Sequence, residues 1–177
     1  MRDLRQRLMD IAKSAENKRA EPPRAPEPTE GFFCREGVVP RGALGDIDRV
    51  TLEDVRACDP YFEGDCWSAE RLLFLDTTGL SGGAGTVAFE IGVGWIEPRG
   101  MVIRQYVMRN YAQEADILRE IAALAARADT LVTFNGKSFD LPLLESRMVM
   151  NRIRAHITDM PHLDLLHAAR RVYKLRL

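Results

Sequence analysis

From Arg71 onward, apolar and polar positions alternate in a pattern that defines successive short elements. Three apolar runs, RLLFLD, TVAFEIGVGWI and MVIRQYVMR, follow one another with short connections, including the turn signal EPRG. We therefore expect an antiparallel meander of three strands. The segment AQEADILREIAALAARAD then repeats its apolar residues at helical spacing, and the β-rich run TLVTFN follows it.

Two more helices are expected before the chain reaches Leu177. DLPLLESRMVMNRI has a helical period and places Pro142 in the first turn, and HLDLLHAARRVYKLRL is expected to begin its helix near Asp164. The order β-β-β-α-β-α-(β)-α contains a strand–helix–strand unit after a meander. It predicts an α/β fold, a mixed sheet of antiparallel and parallel strands flanked by helices.

The first 70 residues have a different organisation. Residues 1–30 combine an amphipathic helix, with Leu4, Leu8 and Ile11 at helical spacing, and the proline-rich linker EPPRAPEPTE. Residues 31–70 are expected to form an extension packed on the main domain. This extension holds the strand GFFCREGVV and a short helix in TLEDVRACD capped by Thr51. Residues 71–177 then form the main domain.

Composition narrows the class of protein. Of 177 residues, 46% are hydrophobic and 29% are charged, which suits a packed core and argues against wholesale disorder. A net charge of −1 supplies no global positive field, so binding of nucleic acid would need a local basic patch or a metal ion. No run is long enough to span a membrane and no signal-peptide core is visible, so we expect a cytoplasmic protein.

Cysteines and glycines exclude two kinds of site. Cys34, Cys58 and Cys66 form no C-x-x-C pair, which favours reduced thiols over disulfides or a zinc site. The glycine-rich loop GLSGGAGT contains no lysine and leads into a strand instead of a helix. It therefore lacks the features of a phosphate-binding P-loop, and we interpret it as a strand connection.

Asp76 and Asp140 are the candidate chemical residues. Asp76 ends the first strand, and Asp140 follows the Asn-Gly turn of TFNGKSFD. Asp140 is either a helix N-cap or a carboxylate facing Asp76 across adjacent strand ends. Two converging carboxylates would repel each other unless a hard cation such as Mg²⁺ or Mn²⁺ lay between them.

The histidines and C-terminal arginines carry weaker signals. His162 and Asp164 lie two positions apart, and capping of the last helix by Asp164 is favoured over a metal pair. Arg170 and Arg171, with Arg176, fit a solvated face near a helix end, and they could also meet phosphate.

Three segments together resemble one known family. LFLDTTGLSGGAGTVAFEIGVGW, LVTFNGKSFDLPLLESR and HLDLLHAARRVYKLRL are similar to the YprB-type ribonuclease H-like domains, predicted 3′–5′ exonucleases of the four-carboxylate (DEDD) superfamily. The resemblance implies a ribonuclease H-like fold and a two-metal mechanism with Mg²⁺ or Mn²⁺. It implies nucleic acid, single-stranded or with free 3′ ends, as the partner.

The resemblance also assigns roles to residues of this chain. Asp140 matches the aspartate of the family's second motif, and Asp76 matches an acidic position of the first. Both are the implied catalytic and metal-binding carboxylates. Four other residues would lie near the terminal nucleotide: Thr78, Gly79, Leu80 and Asn135.

The chain departs from the family pattern in two places. LDTTGL is shorter than the family's opening, so either Thr78 stands where glutamate is expected or Phe74 stands where aspartate is expected. Glu90 on the next strand is a candidate replacement. The third motif does not appear before Leu177, which fits either an incomplete nuclease or a fragment of a longer chain. Two of four expected metal ligands can therefore be assigned.

These observations leave three functional hypotheses. The first is a nucleic-acid-processing domain that resembles a metal-dependent 3′–5′ exonuclease in an incomplete form. The second is a non-catalytic module that binds single strands through its backbone, Lys137 and the C-terminal arginines. The third is a partner-binding domain that docks through the N-terminal helix and linker.

Overall fold

The structure is a computed structural model that describes residues 31–80 and 87–173. The predicted N-terminal helix and linker, and most of the glycine loop, lie outside these ranges. All described residues belong to one compact unit, Gly31–Leu177. The predicted boundary between the extension and the main domain, after residue 70, stays a prediction.

Six strands form a single mixed sheet. They are β1 (Phe33–Pro40), β2 (Leu72–Leu80), β3 (Val87–Glu97), β4 (Gly100–Val107), β5 (Thr130–Thr133) and β6 (His162–Asp164), arranged in the order β1-β4-β3-β2-β5-β6. The strands β1, β4, β3 and β2 pair antiparallel, whereas β2, β5 and β6 pair parallel. The predicted three-strand meander and mixed sheet are confirmed.

Four α-helices accompany the sheet in the described residues: α1 (Leu52–Cys58), α2 (Glu114–Ala125), α3 (Asp140–Met150) and α4 (Leu165–Val172). Two of the predicted starts are confirmed. The Thr51 hydroxyl accepts from the backbone N–H of Asp54, whose carboxylate accepts from the N–H of Thr51, so α1 begins with a capping box. Asp164 caps α4 by accepting from the N–H of Leu166.

The main core lies between one face of the sheet and helices α2 and α3. Because strand side chains alternate between faces, Leu73 and Leu75 of β2 point into this core, where they join Ile91 of β3. Ile121 of α2 and Leu144 of α3 close it from the other side, and both are fully buried. Each such side chain stabilises the fold by about 1.5–3 kcal/mol relative to an exposed one.

A buried ion pair joins α2 to α3. The guanidinium of Arg147 donates through Nε and Nη2 to the two carboxylate oxygens of Glu114, both at 2.6 Å. Asn151 adds a third donor to Glu114 at 2.9 Å. Burial raises the pKa of Glu114, but these donors outweigh it and hold the pKa below its usual value.

The N-terminal extension contributes to the sheet and to a second, smaller core. Strand β1 pairs with β4 along its whole length, from Phe33 opposite Val107 to Pro40 opposite Gly100. The smaller core joins Val55 of α1 and Phe62 of the following loop to Leu163 of β6. The extension is therefore fixed at both edges of the sheet, through β1 at one edge and β6 at the other.

Within residues 31–80 and 87–173, no helix has the length and apolarity that crossing a membrane requires.

Candidate nucleic-acid site

Asp76 lies on the sheet face opposite the main core. It pairs with Gly92 of β3, and its side chain is exposed. A shallow apolar groove of about 300 Å³ on this face is lined by Phe74, Asp76 and neighbouring residues of β3, β4 and β5. The carboxylate therefore stands in solvent at the rim of an open apolar surface.

Asp140 is the first residue of α3 and lies beside the same strand end. Its Oδ1 accepts two hydrogen bonds from Thr77, one from the backbone N–H at 2.7 Å and one from the hydroxyl at 2.6 Å. The N-cap of α3 is Phe139, which makes no side-chain capping bond. The N-cap interpretation of Asp140 is therefore wrong, because its carboxylate bridges to β2.

Burial governs the ionisation of Asp140. Its side chain is 4% exposed, and the pKa of this carboxyl group lies above its usual value, mainly because burial penalises the charged form. The two Thr77 donors act in the opposite direction. The negative charge of Asp76 raises the pKa further, which shows that the two carboxyl groups are close enough to interact.

The strand end beyond Asp76 is irregular. Thr78 pairs with Glu90, but Gly79 pairs with Ala88, so the register shifts by one residue between Thr78 and Gly79. Thr78 and Gly79 are exposed, and Leu80 ends β2. Because Thr78 and Asp76 are two positions apart, Glu90 projects from the same face as Asp76. Glu90 accepts a long hydrogen bond of 3.4 Å from Gln105.

Asn135 begins the loop that connects β5 to α3. Its φ of 65° lies in the left-handed region, which asparagine tolerates better than most residues. The next residue must be glycine, since a Cβ at Gly136 would lie 2.3 Å from the hydroxyl of Thr133. The loop therefore holds Asn135 in a fixed position between β5 and Asp140.

Asp164 organises this loop, a role that sequence reasoning missed. It is fully buried, and it accepts hydrogen bonds from the N–H of Asn135 at 2.7 Å and of Lys137 at 3.0 Å, besides the helix cap. These backbone donors outweigh burial and lower its pKa. The signal was the parallel pairing of β6 with β5, which brings Asp164 opposite Thr133.

His162 is held as a neutral ring next to the loop. Its Nε2 lies 2.8 Å from the hydroxyl of Thr133, which also accepts from the N–H of Gly136. Burial, with Lys137 nearby, lowers the pKa of His162 to about 4. The structure thus gives His162 a packing and hydrogen-bonding role at neutral pH.

The described residues do not fit a complete two-metal centre. Within residues 31–80 and 87–173, no group of three or more histidine, cysteine, aspartate or glutamate side chains is placed to hold a metal ion. Asp140 has committed Oδ1 to Thr77, which leaves Oδ2 for a ligand. The two predicted carboxylates lie near each other, but Glu90 does not complete a ligand set with them.

Comparison with known proteins identifies the class. Residues 73–176 match the family model of the RNase H superfamily, and the chain therefore belongs to this superfamily. The chain is also 32% identical over 128 residues to a Bacillus subtilis (strain 168) protein called Uncharacterized protein YprB. The match covers 71% of this chain and 31% of that protein. The resemblance to a YprB-type ribonuclease H-like domain is confirmed.

Proposed function

We propose that this chain is a nucleic-acid-processing domain that engages single-stranded 3′ ends and is related to metal-dependent 3′–5′ exonucleases. The observation that carries the proposal is the convergence of Asp76, Asp140 and the Asn135 loop at one end of β2 and β5 in a chain of the RNase H superfamily. In open α/β sheets, ligands commonly bind at the carboxyl ends of the parallel strands.

Each residue has a role in this proposal. The exposed backbone at Thr78 and Gly79 and the strand end at Leu80 would contact the terminal nucleotide, because the register shift leaves this edge irregular. Asn135 would offer its amide from a rigid loop. Asp76 and the free Oδ2 of Asp140 would attract Mg²⁺ or Mn²⁺, the ions that nucleases of this superfamily usually use to stabilise charge on phosphate.

Cleavage of labelled oligonucleotides tests the proposal. Single-stranded RNA and DNA labelled at the 5′ end are incubated with the full chain and Mg²⁺ or Mn²⁺. We expect progressive shortening from the 3′ end, and we expect Asp140→Asn to abolish it while keeping an acceptor for Thr77. Asp116→Asn, an exposed carboxylate on α2, is the matched control.

A second candidate function is a binding module without hydrolysis. It is favoured by the small ligand set, since the described residues place no third acidic or histidine side chain with Asp76 and Asp140. Loss of preorganised charge normally costs several orders of magnitude in rate. Retention of single strands without shortening in either metal would select this candidate, whereas absence of both binding and cleavage would contradict both.

A further inference from the structure

The N-terminal extension and helix α4 enclose a groove that neither the family match nor the carboxylate site includes. The groove has a volume of about 850 Å³, and its lining includes Asp59, Tyr61, Lys137, His167, Arg170 and Arg171. Family similarity begins at residue 73, so the wall formed by residues 58–61 is a feature of the extension. We propose that this groove binds the backbone and one base of a single-stranded polynucleotide.

Charge is the first argument. Lys137, Arg170 and Arg171 all line the groove, and Asp59 is the acidic residue among its lining side chains. Asp59 is 4% exposed and lies 3.9 Å from the ammonium of Lys137, so the carboxylate is shielded from a ligand. The groove is thus a local basic patch on a chain whose net charge is −1, which suits a phosphate backbone.

The ammonium of Lys137 is positioned but not consumed. A separation of 3.9 Å from Asp59 is an ion pair without a hydrogen bond, and Oδ2 of Asp59 is buried without a hydrogen-bond partner in the described structure. Oδ1 of Asp59 instead accepts from the backbone N–H of Tyr61 at 3.1 Å. One buried carboxylate therefore fixes both the loop that carries Tyr61 and the direction of Lys137.

An exposed aromatic ring is the second argument. Tyr61 is 85% exposed, although its neighbour Phe62 is buried in the smaller core with Leu163. The loop is therefore anchored on one side and presents a bare ring on the other. Single-stranded nucleic acid is characteristically held by stacking of bases on such rings beside a basic groove.

The position of Tyr61 also orients the strand. Tyr61 and Lys137 line a second groove of about 650 Å³, whose other walls include Glu63, Asp159 and His162. The acidic residues of this second groove repel phosphate, so the backbone would follow the basic groove and a base would cover Tyr61. Lys137 lies three residues before Asp140, which connects the groove to the carboxylate site.

Binding without metal tests the inference, which rests on the proposed function only in taking a polynucleotide as the ligand. Fluorescence anisotropy compares a labelled (dT)12 strand with an abasic strand of the same length, in chelator and at low salt, with the full chain. We expect Tyr61→Ala to weaken (dT)12 binding about tenfold through lost stacking, and to leave the abasic strand unchanged. Tyr61→Phe should restore binding.

Matched variants separate the groove from the general surface. Tyr111→Ala replaces a tyrosine that is 75% exposed outside the groove, and it should leave both affinities unchanged. Arg170→Ala with Arg171→Ala should weaken both probes and reduce the salt dependence of log Kd by about 1.4, from about 0.7 per phosphate contact on a single strand. Arg127→Ala with Arg154→Ala, two exposed arginines elsewhere, should not.

Three results would overturn the inference. They are equal effects of Tyr61→Ala and Tyr111→Ala, an equal loss for the abasic strand, and binding of a 12-base-pair duplex as tight as that of (dT)12. Failure of the proposed nuclease function is distinguishable, because it would leave these metal-free affinities intact while no shortening occurred with Mg²⁺ or Mn²⁺. Cleavage without any effect of the groove variants would instead contradict the groove alone.

Discussion

Thr77 donates both its backbone N–H and its hydroxyl to one oxygen of Asp140, at 2.7 and 2.6 Å. Asp76 precedes Thr77, and its side chain leaves the strand on the opposite face. The strand therefore presents one carboxylate to solvent and grips a second from behind. The strand end is the meeting point of the two acidic residues, and the threonine between them keeps Asp140 in place.

Removal of the Thr77 hydroxyl should destabilise the protein. Thr77→Val keeps the shape of the side chain but leaves buried Asp140 with one donor fewer, which should cost about 1–3 kcal/mol. Urea unfolding measures the loss as a lower midpoint at constant slope. Thr78→Val, at the exposed neighbouring position, is the control. Equal midpoints for the two variants would contradict the assigned role of Thr77.

Asp164 should be required for order in the loop that carries Asn135 and Lys137. Asp164→Asn replaces an acceptor of three backbone N–H groups by an amide that has a single acceptor oxygen, and we expect a loss of about 3 kcal/mol or more. Hydrogen exchange at the amides of Asn135 and Lys137 should accelerate. The exposed Asp159→Asn serves as control, and unchanged exchange in Asp164→Asn would refute the prediction.

Acid should destabilise the fold through His162. Its folded pKa of about 4 lies below the unfolded value of about 6.5, so the unfolded chain binds the proton first. The contribution is complete above pH 6.5 and is lost as pH falls towards 4, by up to about 3 kcal/mol at 1.4 kcal/mol per pH unit.

Unfolding free energies measured between pH 4 and pH 8 check this dependence. His162→Gln should flatten the curve in that window, whereas His156→Gln, at an exposed position, should leave its slope as in the wild-type protein. An unaltered slope in His162→Gln would show that another group titrates there.

The ion pair between Glu114 and Arg147 should be strongly coupled. Arg147→Met leaves a buried carboxylate without its bidentate partner, which should cost about 3–5 kcal/mol. Glu114→Gln together with Arg147→Met should recover much of that loss. A double-mutant cycle in urea measures the coupling, and additive effects of the two single changes would disprove it.

The ion pair also has a pH dependence of known sign. The pKa of Glu114 is lowered in the folded state, so its contribution is complete above the unfolded pKa near 4.5 and is lost as pH falls through the folded pKa. Arg147→Met should therefore reduce the acid sensitivity of the protein below about pH 4.5.

Metal binding is expected to be weak. Two carboxylates, one of them already bonded to Thr77, should bind Mn²⁺ with a Kd of about 1 mM, and electron paramagnetic resonance of free Mn²⁺ measures it. Asp76→Asn should abolish the binding, and Asp116→Asn should preserve it. Micromolar binding that survives Asp76→Asn would place the ion elsewhere.

Local sequence patterns determined most of the fold. Alternation and helical spacing located the meander, the helices and the capping residues Thr51 and Asp164, because these features depend on neighbours within a few residues. The short motifs around Asp76 and Asp140 also sufficed for the family, which the comparisons confirmed. The assignment of these two carboxylates as metal ligands stays a prediction.

Tertiary structure decided what each polar group contacts. Thr77 and Asp140 are 63 positions apart in the chain, and Asp164 is 27 positions from the Lys137 amide that it accepts from. Such partners depend on strand order and on the parallel pairing of β5 with β6, which no local period encodes. For the same reason, the groove between the extension and α4 became visible only in three dimensions, whereas the sequence alone showed an exposed tyrosine, a lysine and arginines far apart.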